Sequence, residues 1–147
     1  MIESVLVVCT GNVCRSPIAQ ELFIKKFTQS CLNVKVTSAG IAALVGHAAD
    51  IRAQDIATAQ GLDLSKHRAT QLSADIVFSS DLILVMSSEQ KKQVENLFAG
   101  SCGRVHRLGH WGCYDIHDPW KRPDVVYEQV LVLIEQGVDE WSGRLWK

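Results

Sequence analysis

Apolar and polar positions change period several times along the chain, and each change marks an element. Residues 5–8 (Val-Leu-Val-Val) and 82–86 (Leu-Ile-Leu-Val-Met) are uninterrupted apolar runs, the pattern of strands covered on both faces of a parallel sheet. Residues 34–37 (Val-Lys-Val-Thr) and 105–108 (Val-His-Arg-Leu) alternate, which suits strands at sheet edges. Between the runs the period lengthens. Ala19, Leu22, Phe23 and Phe27 share one helical face, as do Val126, Val130, Leu133, Ile134, Trp141 and Leu145, and the spacing predicts helices over residues 17–30, 50–60, 88–99 and 124–146. Ser16 reads as the first helix's cap, Pro17 as its first residue, and Glu21 and Lys25 as an i,i+4 pair. Gly137 inside the last helix costs about 1 kcal/mol relative to alanine, which predicts a close small-residue contact there.

Alternating strands and helices argue for an α/β domain with a parallel sheet. With the two apolar runs central and the two alternating runs outside, the strand order is 2-1-3-4, a single three-layer domain over residues 1–147. In that order the winding reverses beside the first strand, and ligands bind at strand C-terminal ends at such a point.

The chain has 147 residues, 47% of them hydrophobic, and a formal net charge of −1, enough for one well-buried domain and too short for two comfortable ones. No basic run supports nucleic-acid binding. No signal-peptide or membrane-spanning pattern is present, so the expected location is the cytoplasm, without direct membrane insertion. Five cysteines, an odd number without a disulfide framework, read as catalytic, redox-sensitive or buried thiols.

The chemistry concentrates in one octet: Cys9-Thr10-Gly11-Asn12-Val13-Cys14-Arg15-Ser16. Spacing alone is weak evidence, but here the octet joins an apolar strand to a helix. A tight loop feeding a helix N-terminus presents unpaired N–H groups and partial positive charge, which is what phosphoryl oxygens require. The same field lowers a thiol's pKa from about 8.5 toward roughly 3.5–7.5, so Cys9 is expected to be an ionised nucleophile attacking phosphorus. Arg15 is expected to grip two phosphoryl oxygens through its fork. The plainer alternative is a buried structural Cys9 beside a surface Arg15.

The leaving oxygen needs a proton donor, and the loop of residues 109–124 offers three acids. Asp118 is preferred, stiffened by Pro119 and sheltered by Trp120, with Asp115 and Asp124 as rivals. His110, Cys113 and His117 share this loop, but their spacing and the lack of a fourth ligand make a poor zinc site.

The octet, Ser38-Ala39-Gly40, the run from Asp81 to Met86 and Asp118-Pro119 together resemble the low-molecular-weight protein tyrosine phosphatases over nearly the whole chain. The resemblance implies their Rossmann-like fold and a two-step hydrolysis without metal or other cofactor. Cys9 would form a phosphocysteine, Arg15 and the loop of Thr10, Gly11, Asn12, Val13, Cys14 and Ser16 would bind phosphate, and Asp118 would act first as acid and then as base. Asn12 would hold the strained loop, Ser16 would donate to the sulfur, and His67 would brace Asn12, with Ser38 also behind the loop. From the residues alone His67 reads as a surface or capping histidine. Cys14 would be a redox partner for Cys9, though simple loop packing explains it as well.

Leu44 and Trp120 stand where the family's walls clamp the aryl ring; Trp120 could equally be a surface aromatic. The loop at residues 40–46 resembles the bacterial subgroup associated with capsule and exopolysaccharide production, which implies the phosphotyrosine tail of a membrane-bound autophosphorylating tyrosine kinase as substrate and a monomer or weakly self-associating protein. Alternatives are an arginine phosphatase on the same scaffold, against which Val13 argues because that variant carries Thr, and an arsenate reductase, whose second redox pair finds no cysteine at residues 81–89. From a different class, a catalytically silent phosphate-binding module would have lost the thiol, the arginine or the acid.

Overall fold

In the computed structural model, which describes residues 1–146, four parallel strands form one sheet: β1 (Ser4–Cys9), β2 (Lys35–Gly40), β3 (Leu82–Val85) and β4 (Val105–Arg107), in the order β2-β1-β3-β4. The expected topology is therefore present. Cys9 pairs with Gly40 at the C-terminal end of β1, and Val8 with Val85 on the other side. Five helices flank the sheet: α1 (Arg15–Gln29), α2 (Ile51–Ala59), α3 (Ala74–Phe78), α4 (Ser88–Leu97) and α5 (Asp124–Leu145).

The two-residue period of β1 divides the core. Val5, Val7 and Cys9 face one layer with Phe23, Phe27, Ala53, Ile134 and Val138, from α1, α2 and α5. Leu6 and Val8 face the other, with Val77 of α3 and Val94 of α4. Because both faces are covered, β3 and β1 from Val5 onward hold no polar residue, which is why they read as unbroken apolar runs. Phe23 and Ile134 are fully buried, and truncating either to alanine costs about 2–5 kcal/mol. Gly137 answers its prediction: a Cβ there would lie 2.7 Å from Leu108 Cγ and 2.9 Å from the Leu108 carbonyl oxygen, so α5 approaches the end of β4 through the missing side chain.

Three local expectations are corrected. The first helix starts at Arg15, and Ser16 is not its cap: Cys14 holds the cap position without a side-chain capping bond, while the Ser16 hydroxyl is turned inward to the Cys9 sulfur. Pro17 still lies in the first turn, where an N–H has no helical acceptor. Glu21 and Lys25 form no ion pair among the described residues; α1 is instead tied to α5 by Lys26 and Asp139, 2.8 Å apart. Glu21 is partly buried, and burial followed by Asp63 raises its pKa above the usual carboxylate value. Helix α3 had no counterpart in the periodicity, since five residues with one buried side chain, Val77, carry no helical repeat. It is begun by Ser73, whose hydroxyl accepts the Ile76 N–H.

Candidate active site

Strand β1 ends at Cys9, α1 begins at Arg15, and the connecting loop curls over the C-terminal edge of the sheet. The carbonyls of five consecutive residues are each taken by a donor from outside the loop. Cys9 O accepts from Ile41 N (3.0 Å), Thr10 O from Ala42 N (3.0 Å), Gly11 O from Leu44 N (3.1 Å) and Val13 O from Asp50 N (2.8 Å). Asn12 O pairs with His67 Nε2 at 2.6 Å. In a trans peptide the C=O and N–H point opposite ways, so carbonyls anchored outward leave the amides converging inward. This is an anion cradle held open from its rim. Gly40 permits it: a Cβ there would lie 2.6 Å from Thr10 O.

Asn12 is the hinge of the loop. Its φ of +57° is left-handed, a conformation that asparagine bears better than most side-chain-bearing residues. Fully buried, it accepts from Thr70 N at 2.9 Å and donates to Ser16 Oγ at 2.7 Å and Ser38 Oγ at 3.0 Å. Because Ser16 Oγ accepts from Asn12, its own proton is free for Cys9 Sγ, 2.9 Å away. Ser38 in turn donates to Gln20 Oε1 at 2.7 Å. His67 is partly buried, and that burial, with Arg68 as a smaller cause, holds its pKa below the usual value against the opposing hydrogen bond to Asn12. It is thus neutral near pH 7, with the Nε2 proton donated to the Asn12 carbonyl.

Arg15, 4% exposed, is fixed by donating from Nη1 to Ile116 O at 2.8 Å, while Nη2 approaches Thr10 Oγ1 at 3.5 Å and Asp118 Oδ2 at 3.6 Å. Its buried Nε has no hydrogen-bond partner among the described residues, leaving a cationic donor for an incoming oxyanion. Asp118 has half of its side chain exposed, and its Oδ1 accepts the Trp120 N–H at 3.0 Å. That turn across Pro119 sets the carboxylate and the indole on one wall. The cleft is lined by Cys9, Thr10, Gly11, Val13, Cys14, Arg15, Ala42, Leu44, Asp118 and Trp120.

The rival acids lie elsewhere. Asp115 binds Arg107 at 3.0 Å and the Ser88 N–H at 3.1 Å, and Asp124 opens α5 beside Arg52 at 3.6 Å. His110, Cys113 and His117 make no metal-holding group among the described residues; His110 packs against His106, Trp111 and Trp141. Cys9 and Cys14 are both buried free thiols. Four partners were not legible beforehand: Gln90, donating to Thr10 Oγ1 at 3.1 Å and accepting from Met86 N at 2.9 Å, together with Gln20, Thr70 and Asp50. Each reaches the loop or its support from a distant segment.

A strand-loop-helix cradle holding cysteine, arginine and a facing aspartate defines a cysteine-dependent phosphatase, and the chain belongs to the low molecular weight phosphotyrosine protein phosphatase family, whose model matches residues 4–147. It is 43% identical over 145 residues to the probable low molecular weight protein-tyrosine-phosphatase EpsP of Ralstonia nicotianae, covering 99% of this chain and 97% of that one. Its fold is similar to the crystal structure of the tyrosine phosphatase Wzb from Escherichia coli K30 in complex with sulphate, with a TM-score of 0.93, 36% identity and 99% of each chain covered. The YwlE arginine phosphatase, in a mutant form with a phosphorylated active-site serine, is also similar, at a TM-score of 0.92 and 28% identity over 98% of this chain and 96% of that one.

Proposed function

We propose that the protein hydrolyses phosphotyrosine in two displacements at one phosphorus. In the first, the Cys9 thiolate attacks in line, the S–P bond forms as the P–O bond to the aryl group breaks, and Asp118 gives its proton to the departing phenolate oxygen. In the second, the Asp118 carboxylate takes a proton from water, the water oxygen bonds to phosphorus, and the S–P bond breaks to return thiolate and release phosphate. The inward amides and Arg15 hold the equatorial oxygens throughout and supply stabilisation where charge develops. The Ser16 hydroxyl, directed at sulfur by Asn12, stabilises the thiolate at both ends of the cycle.

The observation that carries this reading is the run of outward-anchored carbonyls from Cys9 to Val13 beside a buried arginine. Above the cradle, Val13, Ala42, Leu44 and Trp120 form an apolar slot for a planar ring. The substrate we infer is a phosphotyrosine-bearing protein, specifically the tail of a membrane-bound autophosphorylating tyrosine kinase serving capsule or exopolysaccharide production. Supporting this is the likeness to EpsP and Wzb; among the described residues no helix is long and apolar enough to cross a membrane. Turnover of phosphotyrosine, phosphoserine and phosphoarginine peptides, measured side by side, tests it: phosphotyrosine is expected to have the highest kcat/KM, and a preference for either of the others contradicts the reading.

A further inference from the structure

One carboxylate beneath the cradle has no part in this chemistry, yet it touches the loop at two points. Asp50 occupies the N-cap position of α2, where aspartate ordinarily turns its carboxylate back to the first helical amides. Here it makes no such bond. Its backbone N–H goes to Val13 O at 2.8 Å. Its Oδ2 instead accepts from the Cys14 thiol, at 3.5 Å, and from the hydroxyl of Tyr127, a buried residue of α5. The guanidinium of Arg52 lies 5.8 Å from the centre of the Tyr127 ring.

A carboxylate placed under a site built for a phosphate dianion is costly unless its charge is absorbed. Two donors on a single oxygen absorb it. The arrangement also fixes the role of Cys14. In a loop whose amides favour negative charge, two cysteines compete to be the anion, and the one facing a carboxylate loses. We propose that Asp50 is a positioning residue of the phosphate cradle: its N–H and carboxylate clamp Val13 and Cys14 to α2 and α5 and hold the Cys14 proton on sulfur, leaving Cys9 as the loop's sole nucleophile. The proposal rests on Cys9 being the attacking group. Electrostatics agree with the geometry, since Cys14 is pushed well above the usual thiol range by burial first and then by Asp50, Cys9 and Asp118. Tyr127 is raised in the same way, by burial and then its hydrogen bond to Asp50. Asn12 holds one side of the loop and Asp50 the other, so the cradle is braced from both.

The test uses alkylation as well as turnover, so that it survives a failure of the phosphatase reading. In a Cys9→Ser background, iodoacetamide modification of Cys14 is followed against pH by peptide mass mapping, with the exposed Cys31, Cys102 and Cys113 as internal standards. The groups facing Cys14 that set its profile are then Asp50 and Tyr127 below and Asp118 and Arg15 across the cleft. Asp50→Asn is expected to move the profile to lower pH, with alkylation at pH 8 about tenfold faster, while the standards stay unchanged. With Cys9 intact the same variant lowers kcat/KM for an aryl phosphate about tenfold, as expected for loss of a charged hydrogen-bond acceptor. Tyr127→Phe strips one donor from the carboxylate and leaves its charge less absorbed, so the profile moves to higher pH, a direction that simple loosening does not produce. An unshifted profile in either variant, a uniform acceleration at every pH, or unchanged kinetics in Asp50→Asn overturns the proposal.

Discussion

The Arg15 guanidinium lies 3.6 Å from the Asp118 carboxylate, across the mouth of the cleft from the Cys9 loop, and no other acid of the late loop approaches it. That relationship separates Asp118, the acid preferred on sequence, from its rivals Asp115 and Asp124. Asp118→Asn is expected to lower kcat for phenyl phosphate by about 10²- to 10⁴-fold and much less for esters of acidic phenols, which need little proton donation. Asp115→Asn and Asp124→Asn leave kcat nearly unchanged. Steady-state kinetics with a series of aryl leaving groups checks this, and a flat dependence in Asp118→Asn that matches wild type would show that the acid is another group.

The hydrogen bonds of Asn12 predict a stability cost separate from chemistry. Asn12→Ala orphans the Thr70 N–H and frees Ser16 and Ser38, and it places a Cβ residue without a compensating side-chain bond at φ +57°. The expected loss is about 2–4 kcal/mol by denaturant unfolding. Asn12→Gly relieves the backbone and recovers part of that stability, but it restores no hydrogen bond and therefore no activity.

His67 makes folding stability depend on pH. Its folded-state pKa lies below the usual 6.5 because burial disfavours the imidazolium, so as pH falls the unfolded chain takes up the proton first. The contribution is complete above about pH 6.5 and is lost as pH drops through the folded-state value. His106, also depressed by burial and then by His110, adds to the same slope. His67→Gln, which keeps a donor for the Asn12 carbonyl, is expected to flatten the stability curve below that pH; an identical curve in wild type and variant would show that His67 contributes none of the slope.

Gly137→Ala tests whether close packing outweighs helix propensity. Alanine gains about 1 kcal/mol in an exposed helix, but here its Cβ would meet Leu108 at 2.7 Å and the Leu108 carbonyl oxygen at 2.9 Å, and overpacking against backbone costs about 1–3 kcal/mol. The variant is expected to melt lower than wild type by a few degrees. A higher Tm would mean that α5 is free to shift.

Val13 lines the cleft, and the family resemblance implies threonine at this position in arginine phosphatases. Val13→Thr is expected to raise phosphoarginine turnover relative to phosphotyrosine, measured as the ratio of kcat/KM values. An unchanged ratio would remove Val13 as the discriminating residue.

The sheet, its strand order and the octet's place in it were readable because burial on both faces leaves unbroken apolar runs, and because a strand, a glycine turn and a helix with proline in its first turn are local patterns. Cys9, Arg15 and Asp118 were legible from residue type, and the brace from His67 to Asn12 came from family resemblance alone. Gln90, Thr70 and Asp50 were not legible. Their side-chain bonds to the loop span 80, 58 and 36 positions along the chain, and a residue whose partner lies that far away leaves no periodic trace. Ser16 misled for the opposite reason. Its local signal, a serine before proline at a helix start, was strong, and the side chains of Asn12 and Cys9, within the same loop, turned it inward instead.

The most direct measurement is rapid acid quench of the enzyme turning over an aryl phosphate, followed by mass mapping of the phosphorylated peptide. The account predicts one phosphoryl group on Cys9, absent in Cys9→Ser, which still binds inorganic phosphate. A phosphoryl group on any other residue, or turnover with no covalent phosphoenzyme at any quench time, would contradict it.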